Sequence, residues 1–126
     1  MINAIDVLFG EEFTGIKGQA AVEKLLQEKQ GHVKAAFYRA DIGEIDLFWG
    51  DDKAGLKHII QERNKRGTNG TKFIENLSDV VENGEAFPNK NPNRMNIAYR
   101  GKLAVVAFDV RGSEVTALLT AFLTKK

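Results

Sequence analysis

The sequence predicts an α+β protein in which N-terminal helices pack on one face of a C-terminal antiparallel β-sheet. Apolar residues recur at helical spacing mainly in the first two thirds of the chain, and they alternate with polar residues in the last third. The 126 residues suit one domain, residues 1–126, that buries enough surface to fold without cross-links. We expect the opposite face of the sheet to be partly open to a ligand.

Three helices are predicted from apolar spacing and from residues that start or end helices. The first lies within residues 18–31, between two glycines. The second begins with Asp51 or Asp52 as its N-cap and ends before Gly67. The third covers residues 72–81. Most of these segments precede the clearest strands, which favours the α+β class.

Five strands are predicted. Two lie in the first half, at residues 33–39 and 43–50, and three form a β-meander joined by tight turns, at residues 96–100, 102–110 and 114–124. The last strand alternates, so its two faces are expected to differ. One face would hold Thr116, Leu118, Thr120 and Phe122, and the other would hold Val115, Ala117, Leu119, Ala121 and Leu123.

Composition excludes several classes of protein. The chain has no cysteine, which rules out disulfide frameworks, thiolate zinc sites and thiol catalysis. Because His32 and His58 are its only histidines, we predict neither a metal site nor a cofactor. No run of about 18 apolar residues and no signal-peptide pattern occurs, so a cytoplasmic location is expected.

Charge is distributed unevenly along the chain, although the formal net charge is only +1. Residues 1–52 carry five basic and ten acidic side chains, whereas residues 53–102 carry ten basic and five acidic ones. A basic surface of this kind suits a phosphate-rich ligand, since neutralising phosphates releases counterions. Alternatively, these basic side chains form the solvated face of a surface helix and bind no ligand.

The polar residues of the basic segment suit cleavage of RNA through its own 2′-hydroxyl. This reaction needs a base for the hydroxyl, an acid for the leaving oxygen, and cations or hydrogen-bond donors for the phosphorane. Side chains able to fill these roles are His58, Glu62, Lys57, Arg63, Tyr99, Arg100 and Thr120.

Three stretches form a more specific pattern. They are G-E-I-D-L-F-W-G at residues 43–50, G-L-K-H-I-I at residues 55–60 followed by Arg63, and I-A-Y-R-G-K at residues 97–102 leading to L-L-T-A-F at residues 118–122. In this order they resemble the phage- and prophage-associated nuclease-like domains of the barnase/EndoU/colicin/RelE superfamily. The resemblance implies a barnase/EndoU/colicin/RelE-like α+β fold.

For active members, the resemblance also implies metal-independent RNA cleavage by a toxin or mobile-element effector, with a cognate immunity or antitoxin protein as a partner. Such a protein would act in the cytoplasm of a bacterial host or target cell. The resemblance marks His58, Arg63 and Thr120 as catalytic, and Phe122 as an aromatic residue that contacts RNA. The chain departs from the family pattern at residues 116–117, where Thr-Ala replaces a polar residue and tryptophan.

Each candidate also has a purely structural interpretation. His58 is either the catalytic acid or base or an exposed helix histidine, and Glu62 shares its helix face and would orient it. Arg63 lies on the apolar side of its helix, where it either pairs with Asp46 or binds a phosphate. Strand propensity alone would explain Thr120.

The remaining candidates would bind RNA. Lys57, Arg100 and Lys102 are expected to contact phosphates, while Tyr99 would donate to a phosphate, stack on a base, or pack across the sheet. The predicted substrate is single-stranded or loop RNA, such as tRNA, because its unstacked bases reach a shallow surface. Two other functions fit the same sequence: a non-catalytic RNA-binding module, and a structural or interaction protein of a phage or prophage.

Overall fold

Seven strands form one mixed β-sheet within residues 10–124, the part of the chain that the computed structural model describes. The strands are β1 (Glu12–Phe13), β2 (His32–Arg39), β3 (Gly43–Phe48), β4 (Glu85–Pro88), β5 (Arg94–Tyr99), β6 (Lys102–Ala107) and β7 (Ala117–Leu123). The helices are α1 (Gln19–Glu28), α2 (Leu56–Lys65), α3 (Gly70–Phe73) and α4 (Leu77–Asn83), with a 3₁₀ turn (Ile74–Asn76) before α4. No helix of residues 10–124 is long and apolar enough to cross a membrane.

The sheet order β1-β2-β3-β7-β6-β5-β4 corrects the predicted antiparallel sheet. The meander β5-β6-β7 is antiparallel as expected, but β3 pairs with β7 in parallel and β1 pairs with β2 in parallel. The backbone N–H of Asp46 donates to the carbonyl oxygen of Thr116 at 2.8 Å, which joins the two halves of the sheet. The class is therefore α+β, with strands from both halves of the chain in one sheet.

The helices differ from the prediction at two places. Asp51 does not cap α2, because its Oδ1 accepts from the backbone N–H groups of Lys53 and Ala54 in the preceding turn. The segment predicted as one helix over residues 72–81 is divided into α3, the 3₁₀ turn and α4. A Cβ at Gly70 would overlap the carbonyl of Ile60, so glycine lets α3 pack directly against α2.

A β-bulge changes the two faces of β7. Val105 pairs with Thr120 and Val106 pairs with Leu118, so Leu119 is an extra residue without an opposite partner. Leu118 and Ala121 consequently both belong to the main core between helices and sheet. The predicted strict alternation of residues 114–124 is wrong, because it assumed an unbroken strand.

The tight turn predicted between the first two strands of the meander is confirmed. Arg100 and Gly101 form the two-residue turn between β5 and β6, and both have positive φ, 48° and 80°. This is the backbone of a type I′ turn, which fits the twist of an antiparallel hairpin. Strand β4 was not predicted, since only four residues pair along its single neighbour, β5.

Candidate active site

A cleft of about 430 Å³ lies between α2 and β7. It brings together the three residues predicted to be catalytic and the aromatic residue predicted to contact RNA, although the helix and the strand that carry them are far apart in the sequence. Its lining residues are His58, Glu62, Arg63, Arg66, Thr120, Phe122 and Leu123.

The bulge in β7 holds α2 in place. The carbonyl oxygen of Leu119, the extra residue, accepts a 2.8 Å hydrogen bond from the backbone N–H of Gly55, just before α2. The backbone N–H of Lys57 donates to the carbonyl of Trp49, also at 2.8 Å. These two bonds orient the first turn of the helix, so that His58 lies across the cleft from Thr120.

The imidazole of His58 is oriented by the main chain. Its Nδ1 lies 2.8 Å from the carbonyl oxygen of Asp52. A carbonyl oxygen only accepts, so Nδ1 carries the proton of this hydrogen bond. In the neutral ring, Nε2 is then left with a lone pair. Glu62 also borders the cleft, but its carboxylate lies 3.4 Å from Lys65 Nζ, and the orienting group found for His58 is the Asp52 carbonyl.

Arg63 is a buried cation, with only 6% of its surface exposed. Within residues 10–124, no carboxylate lies within 4 Å of its guanidinium, and its buried Nε has no hydrogen-bond partner. The guanidinium instead lies 5.8 Å from the centre of the Phe73 ring. Burial and, to a smaller extent, nearby Arg66 lower the pKa of Arg63, against the smaller opposing effect of the Glu62 carboxylate.

The predicted pairing of Arg63 with Asp46 is wrong. Oδ1 of Asp46 accepts a 2.7 Å hydrogen bond from the backbone N–H of Ala35, inside the irregular part of the β2–β3 pairing. Asp46 thus stabilises a strand irregularity and forms no ion pair with Arg63.

Thr120 and Phe122 lie on the cleft side of β7, and both are half-buried. Because Leu119 is the bulged residue, Thr120 and Phe122 point away from the face that carries Leu118 and Ala121. The cleft therefore offers a hydroxyl and an aromatic ring next to the histidine and the arginine.

The other predicted RNA-binding residues lie outside this cleft. Lys57 lines a separate cavity, and its Nζ lies 3.8 Å from Asp52 Oδ1. Tyr99 packs partly against the core at the β5–β6 hairpin, with the Arg100 guanidinium 5.0 Å from its ring centre. Lys102 lines a further cavity next to the cleft.

That adjoining cavity has a volume of about 520 Å³ and shares Leu123 with the cleft. Sequence reasoning missed most of its lining, including Phe73, because those residues lie in α3, in the loop before it and in the 3₁₀ turn, where the sequence predicts a continuous helix from residue 72 onward. No sequence motif marks these residues, and they come together only in the folded chain. The cavity is lined by Thr68, Asn69, Lys72, Phe73, Glu75, Asn76, Lys102 and Leu123.

Metal-ligating side chains do not cluster in the described part of the chain: no group of three or more His, Asp or Glu residues there could hold an ion. The charged groups of the cleft are the side chains of Glu62, Arg63 and Arg66, with His58 as its titratable imidazole. These groups best fit an anionic ligand with an atom that the arginines and the imidazole can polarise.

The fold combines helices with one mixed β-sheet, and a single cleft holds a histidine, an arginine and a threonine. This combination is typical of a class of protein suited to phosphodiester chemistry. A family model described as "phage-Barnase-EndoU-ColicinE5/D-RelE like nuclease1" matches residues 36–121, and the chain belongs to this family of nucleases. The match includes His58, Arg63 and Thr120, and it confirms the resemblance predicted from the three motifs. None of the curated proteins matches the chain.

Proposed function

We propose that the protein is an endoribonuclease that cleaves RNA without a metal ion, through attack of a 2′-hydroxyl on the adjacent phosphate. One observation supports this most directly. His58, anchored through Nδ1 to a carbonyl, shares a cleft with Arg63, a buried cation that has no carboxylate partner among the described residues. A proton acceptor and a cation that forms no ion pair, placed in one cleft, suit this reaction.

In the proposed reaction, Nε2 of His58 takes the proton of the 2′-hydroxyl as its oxygen bonds to phosphorus. Arg63 stabilises the negative charge of the phosphorane, and the Thr120 hydroxyl donates to a non-bridging oxygen. The bond from phosphorus to the 5′-oxygen then breaks, and the imidazolium returns its proton to that oxygen. The products are a 2′,3′-cyclic phosphate and a 5′-hydroxyl.

The proposed substrate is single-stranded or loop RNA, such as tRNA. Phe122 offers an aromatic ring at the cleft, and Leu123 beside it is 46% exposed, so an unstacked base would find apolar surface next to the reacting groups. Paired bases in a duplex would not reach this surface. DNA would resist cleavage because it lacks the nucleophile.

The test is incubation of the purified protein with total tRNA in EDTA, with products resolved on a denaturing gel and their ends analysed. Discrete fragments with 2′,3′-cyclic ends are expected from the wild type, and none from His58→Ala or Thr120→Ala. Lys90→Ala, a change at an exposed loop residue outside the cleft, is the matched control. Wild-type activity in both cleft variants would refute the mechanism.

Two outcomes would favour the other functions. Salt-sensitive RNA binding without scission would indicate a non-catalytic RNA-binding module, since phosphate contacts release counterions. RNA affinity no higher than non-specific binding would indicate a structural or interaction protein of a phage. Either result would move the search to protein partners.

We further propose that the protein acts as a toxin or mobile-element effector with a cognate inhibitor. The phage association of the family supports this proposal. In a bacterial expression strain, wild-type protein should then slow growth, whereas His58→Ala should not. Equal growth with both proteins at equal expression would contradict the effector role while leaving the nuclease assay unaffected.

A further inference from the structure

Two cations share one aromatic ring at the boundary between the cleft and the adjoining cavity. The Arg63 guanidinium lies 5.8 Å from the centre of the Phe73 ring, and Lys102 Nζ lies 5.0 Å from it. Arg63 borders the cleft, whereas Lys102 borders the cavity. Phe73 is only 5% exposed, so it serves as a buried spacer between the charges and leaves no open face on which a base could stack.

Neither cation forms an ion pair with a carboxylate of the described chain. No carboxylate of residues 10–124 lies within 4 Å of Lys102, whose Nζ donates at 2.7 Å to the neutral amide oxygen of Asn76. Glu75 lines the same cavity without pairing with Lys102. Burial lowers the pKa of Lys102, as expected for a cation held away from water without an anion.

The other described cations either have such a partner or are exposed to water. Ion pairs are found for Lys24 with Glu28, Arg39 with Asp41, Lys57 with Asp52, Lys65 with Glu62, and Arg111 with Asp51. A partly buried cation without an ion-pair partner lowers the stability of the fold. The arrangement of two such cations around Phe73 therefore favours a role in binding anions.

The two spaces also adjoin each other. Leu123, at the end of β7, lines both and is 46% exposed. A strand of nucleic acid that leaves the cleft along Leu123 would pass directly to Lys102. Adjacent phosphates of one strand would then meet Arg63 and Lys102 in turn.

We propose that the cavity beside the cleft is a second phosphate subsite, in which Lys102, held by Asn76 and Phe73, binds a phosphate next to the scissile one. This rests on the proposed nuclease function and defines its substrate further: an oligonucleotide with at least two consecutive phosphates. Lys102 is a binding residue, and Phe73 is a positioning residue that sets the separation of the two charges.

The test compares two substrates with a single ribonucleotide, so that each has one cleavable bond. One is a dinucleoside monophosphate, and the other is a chimeric DNA oligonucleotide with phosphates on both sides of the ribonucleotide. Lys102→Met removes the charge and keeps an unbranched side chain against Phe73. We expect kcat/KM to fall roughly tenfold on the longer substrate, the loss of one charge-assisted hydrogen bond, and to stay unchanged on the short one.

Lys90→Met is the matched control, because Lys90 is exposed and lines neither space. It should leave both substrates unaffected, and thermal denaturation should show that Lys102→Met is folded. An equal loss on both substrates, or no loss on either, would overturn the subsite.

A binding experiment separates this proposal from the nuclease function. The affinity for a 2′-O-methyl oligoribonucleotide, which cannot be cleaved, is measured as a function of salt concentration. Loss of one phosphate contact in Lys102→Met should reduce the slope of log K against log salt by about 0.7. A reduced slope in a protein that cleaves nothing would refute the nuclease and support the subsite, whereas an unchanged slope would refute the subsite.

Discussion

The backbone N–H of Gly55 donates a 2.8 Å hydrogen bond to the carbonyl oxygen of Leu119. Gly55 precedes α2, and Leu119 is the extra residue of the bulge in β7. The bond therefore joins the two elements that carry His58 and Thr120. A bulge exposes a carbonyl that a regular ladder would have used, and here that carbonyl fixes the width of the cleft.

Gly55→Ala should destabilise the protein and lower its nuclease activity. The φ of Gly55 is 98°, and a Cβ there would lie 2.7 Å from the Trp49 carbonyl oxygen. Strain of this kind costs about 1–3 kcal/mol, measured as the free energy of unfolding in urea. The control is Gly67→Ala, where φ is also positive but nothing lies within 4 Å of the added Cβ. If the control were as destabilising, the close approach at Gly55 would not matter.

His58→Ala should lower kcat by about 10²–10⁴, the usual contribution of a general acid or base. The free energy of unfolding should change little, because the side chain is only half-buried at the border of the cleft. Glu62→Gln is the informative comparison, since Glu62 borders the same cleft. It should leave kcat nearly unchanged if Nε2 of His58 both takes and returns the proton. Abolished activity in Glu62→Gln would instead assign the base to Glu62.

Arg63→Met should separate activity from stability. We expect kcat to fall about 10²–10³, as when a donor to a developing charge is removed. Loss of the contact with Phe73, worth about 2 kcal/mol when both groups are desolvated, should be offset by removal of a buried charge that has no ion-pair partner. The free energy of unfolding should therefore shift by less than about 1 kcal/mol. A large destabilisation with little loss of kcat would show that Arg63 is structural.

Asp46 should make stability depend on pH in the acid range. Burial raises the pKa of its carboxyl above 3.8, against the smaller opposing effect of the Ala35 N–H. The folded state thus favours the protonated form. This contribution is fully present below pH 3.8 and is lost as pH rises through the raised pKa.

The measurement for Asp46 is the free energy of unfolding against pH for the wild type and Asp46→Asn. The asparagine keeps an oxygen that can accept from Ala35 but does not titrate. Stability of the variant relative to the wild type should increase from about pH 3.8 upward. Parallel curves would contradict the assignment, and cleavage activity should be unaffected because Asp46 does not line the cleft.

Local signals predicted much of this fold. The glycines around α1 and the turn at Arg100 and Gly101 act over a few residues, and the structure agrees with both. The motif around His58, Arg63 and Thr120 likewise predicted the side chains that meet in the cleft. Their catalytic roles stay predictions until the variants are assayed.

Features that depend on distant contacts were missed or wrong. A pair of Arg63 with Asp46 was one of two alternatives, but the irregular part of the β2–β3 pairing places that carboxylate on the backbone N–H of Ala35. The break at Ile74–Asn76 places Phe73 between two cations, although the sequence there is compatible with a continuous helix. Packing against α2 and the sheet outweighs weak local propensity at such positions.

By itself, the sequence predicted the α+β class, the hairpin turn, and His58, Arg63, Thr120 and Phe122 among the residues that meet in the cleft. Only the tertiary structure decided that β3 pairs in parallel with β7, that Leu119 is bulged, and that Lys102 faces Phe73 from a second cavity. The physical reason is the separation along the sequence over which each signal acts. Turn and helix signals act between neighbours, whereas strand order, bulge position and the placement of unpaired charges depend on segments that meet only in the folded chain.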